Sequence, residues 1–367
     1  MDTSVKACYI HIPFCSHICS YCDFCKLFYD EKIVDRYLLS LEKEIEKNYC
    51  GEVLSTIYLG GGTPSSLTLR QLEKLFSIIE NLNRSSNCEF TVECNVENIT
   101  KDKLALFRQH GINRISLGVE SFQTDLLKEL SRPYTRQDII DVVSLIRSLG
   151  FSNLNIDLMY ALPNETLDDL QRDLEEILSL NVDHISTYSL MIEEHTRLYL
   201  QKVQPIDEEL DEAMYHRLSQ VLEKSGFIHY EISNFAKEDK ESRHNLTYWQ
   251  NERYYGFGLG ASGFLEDVRY TNTRSINQYL LGNFLGFSEE LSTQTMRENE
   301  IILGLRTKWG IDKQKFIQRY GQDVKEIYSI DKLLEKKWII EEVDRYRIPE
   351  DKWYVSNEIL LYFIGEK

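Results

Sequence analysis

Along the first 200 residues, short apolar runs alternate with longer segments whose apolar positions recur at helical spacing. The runs are ACYIHIP (7–13), STIYLG (55–60), EFTVEC (89–94), INRISLG (112–118), LNIDLMYAL (154–162) and HISTYSL (184–190). β-Branched and aromatic residues are common in them, which predicts buried parallel strands. Between the runs, Ile33, Tyr37, Leu41 and Ile45 lie four apart and share one helical face. Thr68 and Gln71 have capping-box spacing at the start of LRQLEKLFSIIE. Gly111, Gly150 and Gly226 each follow a polar helical end and precede an apolar residue, where a left-handed helix stop belongs. Strand–helix alternation of this kind predicts an α/β fold built on a parallel sheet or barrel.

The rhythm then breaks. A helix is predicted over 207–225, followed by an aromatic, irregular stretch at 229–264 and by short helices and strands after about residue 296. The chain thus reads as a barrel over 1–225, an extension over 226–295 and a small terminal module over 296–367, with no low-complexity linker at the joins.

Length, charge and composition narrow the class. A chain of 367 residues exceeds one compact core and suits two domains or one large barrel with an appendage. No apolar run approaches the roughly 18–20 residues that span a bilayer, and the N-terminus lacks a signal-peptide pattern. A cytoplasmic protein without a transmembrane segment is the expectation. The net charge of −17 argues against nucleic acid as a partner.

The chemistry concentrates in HIPFCSHICSYCDFC, residues 11–25, which hold Cys15, Cys19, Cys22 and Cys25. Cys8, Cys50, Cys88 and Cys94 are scattered and read as buried free thiols. Three accounts of the cluster stand open: tetrahedral zinc on four thiolates, structural thiols, or an iron–sulfur cluster on three thiolates with one iron open to a small ligand. After the second predicted strand comes LGGGTPSSL, where Gly60, Gly61 and Gly62 admit close backbone approach. Strand C-terminal ends are where α/β barrels place their sites.

Taken together, YIHIPFC-x3-C-x2-C, GGGTPS, RISLGVESFQ and NIDLMYALP resemble the radical S-adenosylmethionine (SAM) family. They resemble most the branch that holds oxygen-independent coproporphyrinogen III dehydrogenase and the heme chaperones. The resemblance runs from Tyr9 to SNEILLYF near the C-terminus. It implies a partial (β/α)6 barrel with a C-terminal α+β extension and a small terminal module, for which a winged-helix form is one expectation. It implies a [4Fe–4S] cluster on Cys15, Cys19 and Cys22, whose fourth iron holds SAM for one-electron cleavage. By the same resemblance Tyr9, Tyr21, Gly61, Gly62, Thr63, Glu93, Glu120, Arg132 and Asp157 would contact SAM. Departures from the family pattern are Glu120 for a glutamine, no proline after the Glu93 motif, Tyr134 for a frequent histidine, and GASG at 260–263.

Within the branch, eight residues precede Tyr9, Phe24 follows YCD, and Cys25 falls one position beyond the dehydrogenase's fourth cysteine. Cys25 is therefore read as surplus. The segment SNFAKEDKESRHNLTYW matches the HNxxYW motif of the heme chaperones. His244 is the candidate heme ligand, because imidazole binds iron and aromatics stack on a macrocycle; a structural hydrogen-bonded histidine is the competing account. His17 is a candidate supporting group in the cysteine loop. The resemblance implies delivery of heme to client hemoproteins, an electron donor, and membrane contact only peripherally, through clients. The alternative is the dehydrogenase itself, decarboxylating coproporphyrinogen III.

Overall fold

The computed structural model describes residues 4–364. Six strands follow one another in sequence and in space, each parallel to its neighbours. They are β1 (Ala7–Ile12), β2 (Leu54–Gly61), β3 (Arg84–Asn95), β4 (Arg114–Glu120), β5 (Leu154–Tyr160) and β6 (His184–Ser189). Helices α1 (Glu31–Asn48), α2 (Leu69–Ile79), α3 (Lys101–Gln109), α4 (Arg136–Ser148) and α5 (Leu167–Ser179) cover the sheet. Alternate strand residues such as Ile10, Ile57, Val92, Leu117 and Ile156 are buried in the core beneath these helices. The intervening positions, among them Tyr9, Tyr58, Glu93, Ser116 and Asp157, carry the polar groups of the lumen, as strand alternation demands.

Local signals in the chain end the helices where they should. Thr68 and Gln71 form a reciprocal capping box. Gly111, Gly150 and Gly226 have φ of +85°, +82° and +89°, a conformation that a Cβ penalises.

Beyond β6, α6 (Glu208–Lys224) leads into the hairpin β7 (Ile228–Glu231) and β8 (Asn234–Ala236), and β8 pairs antiparallel with β6. The chain then crosses as α7 (Arg243–Trp249) and returns as β9 (Tyr254–Phe257), parallel to β1 on its free side. β10 (Ser262–Leu265), β11 (Val268–Asn272) and β12 (Leu285–Glu290) extend that flank as an antiparallel meander. The result is an open sheet of twelve strands in the order β12-β11-β10-β9-β1-β2-β3-β4-β5-β6-β8-β7. The stretch read as irregular therefore supplies strands to both flanks of one sheet. Its three- and four-residue strands are too short to show a periodicity.

Helix α7 closes the floor of the lumen, at the N-terminal ends of the parallel strands. The Glu89 carboxylate accepts from the Arg243 and His244 N–H groups at 3.2 and 3.0 Å, which suits the positive end of a helix. Ser242 donates its N–H to the Tyr230 hydroxyl at 3.2 Å, and that hydroxyl meets His184 Nε2 at 2.7 Å. On the β9 flank, the buried Glu44 of α1 accepts from the Gly258 N–H at 2.9 Å, from Asn272 Nδ2 and from the Tyr279 hydroxyl.

The C-terminal part begins with α8 (Thr293–Gly304). A strand at Ile311–Asp312, helices at Lys313–Tyr320, Val324–Ile327 and Asp331–Glu335, and strands at Ile340–Glu341 and Arg345–Arg347 follow. The third of these strands lies between the other two. That succession of elements is the winged-helix order, and Phe316, Leu333, Tyr346 and Trp353 fill its core. Among the described residues no helix is long and apolar enough to cross a membrane.

Candidate cofactor site at the barrel mouth

The cysteine loop leaves the C-terminal end of β1 and is tied down on several sides. Leu27 and Tyr29 donate their N–H groups to the Pro13 and Cys15 carbonyls at 2.7 and 2.9 Å. Ser20 donates its N–H to the Leu130 carbonyl at 3.2 Å and its hydroxyl to the Glu129 carbonyl at 2.8 Å. Cys15 is buried, while Cys19 and Cys22 are half-buried. The Thr63 hydroxyl lies 3.6 Å from Cys15 Sγ, a donor suited to a thiolate, and Asn95 Nδ2 supports Thr63 Oγ1 at 3.1 Å. Burial pushes the Cys15 and Cys19 thiols up to about 11. A bound metal must therefore displace their protons, as thiolate ligation does.

Among the described residues, no three His, Cys, Asp or Glu side chains converge on a single metal-ion position. A cube ligated corner by corner asks for no such convergence, because each thiolate holds a different iron. Three thiols in one anchored loop at the mouth, with a hydroxyl donor on one sulfur, fit that group. Cys25 stands apart from them. Its carbonyl accepts from His11 Nε2 at 2.7 Å, and its sulfur packs against Gly260, where a Cβ would come within 2.9 Å. His17 is exposed.

The three glycines make room for the protein's own groups. A Cβ on Gly60 would lie 2.8 Å from the Glu93 carboxylate, one on Gly61 2.3 Å from the His11 ring, and one on Gly62 2.6 Å from the Pro13 carbonyl carbon. Gly61 (φ +109°) donates its N–H to Glu93 Oε2 at 2.9 Å, and the Tyr58 hydroxyl donates to Oε1 at 2.9 Å. Burial raises the pKa of Glu93 against these two bonds. Tyr9 donates its hydroxyl to His11 Nδ1 at 3.0 Å.

Across the mouth, Glu120 is a non-glycine residue at φ +64°, a conformation held by what its side chain touches. Its carboxylate pairs with the buried Arg132 and accepts from the Tyr21 hydroxyl at 2.9 Å. Arg132 also donates to the Tyr21 oxygen at 2.8 Å. Substituting a carboxylate for the family's glutamine is thus matched by a cation in direct contact. Tyr134, in place of the histidine, bonds the Gly118 and Val119 carbonyls, both at 3.1 Å. Asp157, deeper on β5, accepts from Asn155 Nδ2 at 2.7 Å and is pushed up to about 7 by burial and then by Glu120 and Glu93. The sequence reading missed His11, Tyr58, Asn95 and Asn155. Period-two spacing from Tyr9, Glu93 and Asp157 was the signal that places three of them on the lumen face.

His244 lies at the opposite end, in the floor. It is buried, with Nδ1 on Thr56 Oγ1 at 2.8 Å and Nε2 on the Tyr248 hydroxyl at 2.7 Å. Its ring stacks on Tyr58 at 5.1 Å. Burial lowers its pKa to about 3. Both ring nitrogens are engaged in hydrogen bonds, one with a threonine and one with a tyrosine hydroxyl. Of the scattered cysteines, Cys8, Cys88 and Cys94 are buried and Cys50 is exposed.

The model of the radical SAM superfamily matches residues 9–177, and that of the HemN C-terminal domain matches residues 291–352. Heme chaperone HemW of Bacillus subtilis (strain 168) is 39% identical over 99% of this chain and 100% of its own. The HemW proteins of Lactococcus lactis (97% of this chain, 96% of its own) and Escherichia coli (98% of each) are 38% and 30% identical. The structure of Escherichia coli coproporphyrinogen III oxidase (HemN) superposes with a TM-score of 0.87 over 98% of this chain and 90% of its own, at 21% identity, and shows the shared fold. By descent along its whole length, the chain belongs to the heme chaperone HemW family of the radical SAM superfamily.

Proposed function

We propose that the protein binds heme and delivers it to client hemoproteins, on a scaffold that carries a [4Fe–4S] cluster and SAM. The observation that carries this reading is the 39% identity to a heme chaperone over 99% of the chain. Cys15, Cys19 and Cys22 would hold the cluster, which when bound supplies the single electron for SAM cleavage. The chain's own groups would do the rest. Glu93 offers a buried carboxylate to an ammonium, and the Tyr21–Glu120–Arg132 clamp presents a fixed dipole beside it. Gly61, Gly62 and Thr63 would meet the methionine end where β2 reaches the mouth, with the Thr63 hydroxyl beside Cys15, and Tyr9 and Asp157 would complete the lining.

The client hemoproteins and an electron donor are the partners this role requires, with any membrane contact made through a membrane-bound client. The test is one anaerobically reconstituted preparation, titrated with hemin, then mixed with an apo-hemoprotein, and assayed in parallel on coproporphyrinogen III. One heme per chain, handed on to the apoprotein, supports the chaperone. Protoporphyrinogen formation without heme transfer overturns it. In the same preparation, Cys15→Ser, Cys19→Ser or Cys22→Ser should each abolish four-iron content, read as iron and sulfide per chain.

A further inference from the structure

The side chains behind the cysteine loop treat its three candidate ligands unequally. Cys15 is buried, and the Thr63 hydroxyl lies 3.6 Å from its sulfur. Cys19 and Cys22 are half-buried, and among the described residues no side chain donates to either sulfur. Thr63 is itself held in place. Its N–H donates to the carbonyl of Phe14, the residue before Cys15, at 2.9 Å, and its carbonyl accepts from the Ser66 N–H at 2.8 Å. Its hydroxyl oxygen accepts from Asn95 Nδ2 at 3.1 Å. Asn95 ends β3, where its own N–H donates to Ser65 Oγ at 3.2 Å. Gly118 stands in register beside it on β4. A Cβ on Gly118 would lie 3.2 Å from Asn95 Oδ1 and from Glu120 Oε1 and 3.3 Å from Arg132 Nη2, so the amide packs against the Glu120–Arg132 pair in the space a side chain would take.

A hydroxyl has a single proton to give. With the Thr63 oxygen taken up by the Asn95 amide, that proton turns to the acceptor within reach, the Cys15 sulfur. We propose that Asn95 is a positioning residue for the iron–sulfur cluster: through Thr63 it fixes one hydrogen bond on the Cys15 thiolate, and so makes the cluster easier to reduce. The proposal rests on the reading above that Cys15, Cys19 and Cys22 hold that cluster. One electron from an external donor leaves the cluster one unit more negative, and its sulfurs carry part of the added charge. A donor on one of those sulfurs therefore stabilises the reduced form more than the oxidised form. A chain with a net charge of −17 works against the added electron, and this local dipole offsets part of that cost. Asparagine suits the position because its amide nitrogen can donate. Alanine there would leave the hydroxyl free to rotate away from the sulfur.

The anaerobically reconstituted full-length protein is titrated potentiometrically without SAM, with the reduced cluster followed by electron paramagnetic resonance and iron and sulfide counted per chain. Thr63→Val keeps the shape and removes the hydroxyl. It should move reduction to lower potential by about 59 mV, a tenfold change in a one-electron equilibrium. Thr63→Ser should keep the wild-type value. Asn95→Ala should shift the potential in the same direction as Thr63→Val, and adding it to Thr63→Val should change nothing further, because the amide acts only through the hydroxyl. Electron–nuclear double resonance before and after deuterium exchange should show one exchangeable proton near the cluster that Thr63→Val lacks. Wild-type potentials in both single variants, at full four-iron content, overturn the relay and leave the cluster reading standing. Additive shifts in the double variant overturn the action of Asn95 through Thr63. A wild type that assembles no four-iron centre removes the cluster reading, and this proposal with it. Should Thr63→Val take up no cluster, Asn95→Ala carries the test alone, and an unchanged potential there overturns the proposal.

Discussion

His11 holds a loop to which it does not belong. The Cys25 carbonyl can only accept, so Nε2 carries the proton, and Nδ1 then accepts from Tyr9. Burial lowers its pKa to about 4 and keeps the ring neutral. His11→Ala leaves two half-buried polar groups without partners, at a cost of about 1–3 kcal/mol. The expected outcome is a lower melting temperature and loss of iron and sulfide on brief air exposure, with the initial four-iron content intact. Glu165 tests a different balance. Its Oε2 accepts from the Leu162 N–H at 2.9 Å, its Oε1 is buried without a partner, and burial pushes its pKa up to about 8. The folded state keeps this proton after the unfolded state has lost it, so stability falls as pH rises from about 4.5 to 8. Glu165→Gln should match the wild type at acid pH and exceed it at pH 8 by on the order of 4 kcal/mol, read from urea midpoints. The histidines act on the other side: His229 and His244, lowered by burial to about 3, oppose folding only below their unfolded value near 6.5. They cannot mask the slope above pH 6.5. The motif residues were legible because a backbone turn or a sulfur fixes its neighbours locally. His244 was read from its aromatic company, and one member of it, Tyr248, is also a hydrogen-bond partner, while Thr56, far off in sequence, was not legible.

At the scale of elements, Asp173 joins α5 to the turn after β4. It accepts from the Ser121 hydroxyl at 2.6 Å, the Phe122 N–H at 3.0 Å and Gln123 Nε2 at 2.8 Å. This turn directly follows Glu120, so Asp173 backs the strained residue that carries the Arg132 clamp. Asp173→Ala should cost about 2–4 kcal/mol, because three donors, two of them buried, lose one acceptor. It should also weaken SAM binding measured by calorimetry, whereas a purely structural lesion would leave SAM affinity per folded molecule unaltered. Elements whose signals are local were readable from the chain: the Thr68 capping box, the glycine stops, and the six alternating strands. β9 was not. Its pairing with β1 is set by tertiary contact between the two halves of the chain, and four residues cannot announce a strand.

For the whole molecule, the flank built on β9 depends on a carboxylate in α1. Glu44 takes three donors from that flank in a site where burial raises its pKa. Glu44→Ala should lower stability by about 3 kcal/mol and speed hydrogen exchange over residues 254–272, leaving β2 to β5 protected. The same dependence extends to the mouth. The arc of parallel strands has two ends, and one uninterrupted run of chain spans them: β8 is fastened to β6, α7 crosses beneath, and β9 is fastened to β1. Spreading the arc would stretch this girder, so its width is guarded by peptide bonds as well as by packing. A single proteolytic nick between Lys237 and Glu241 would leave every strand pairing in place, yet would turn a braced hoop into a horseshoe free to flex at its tips.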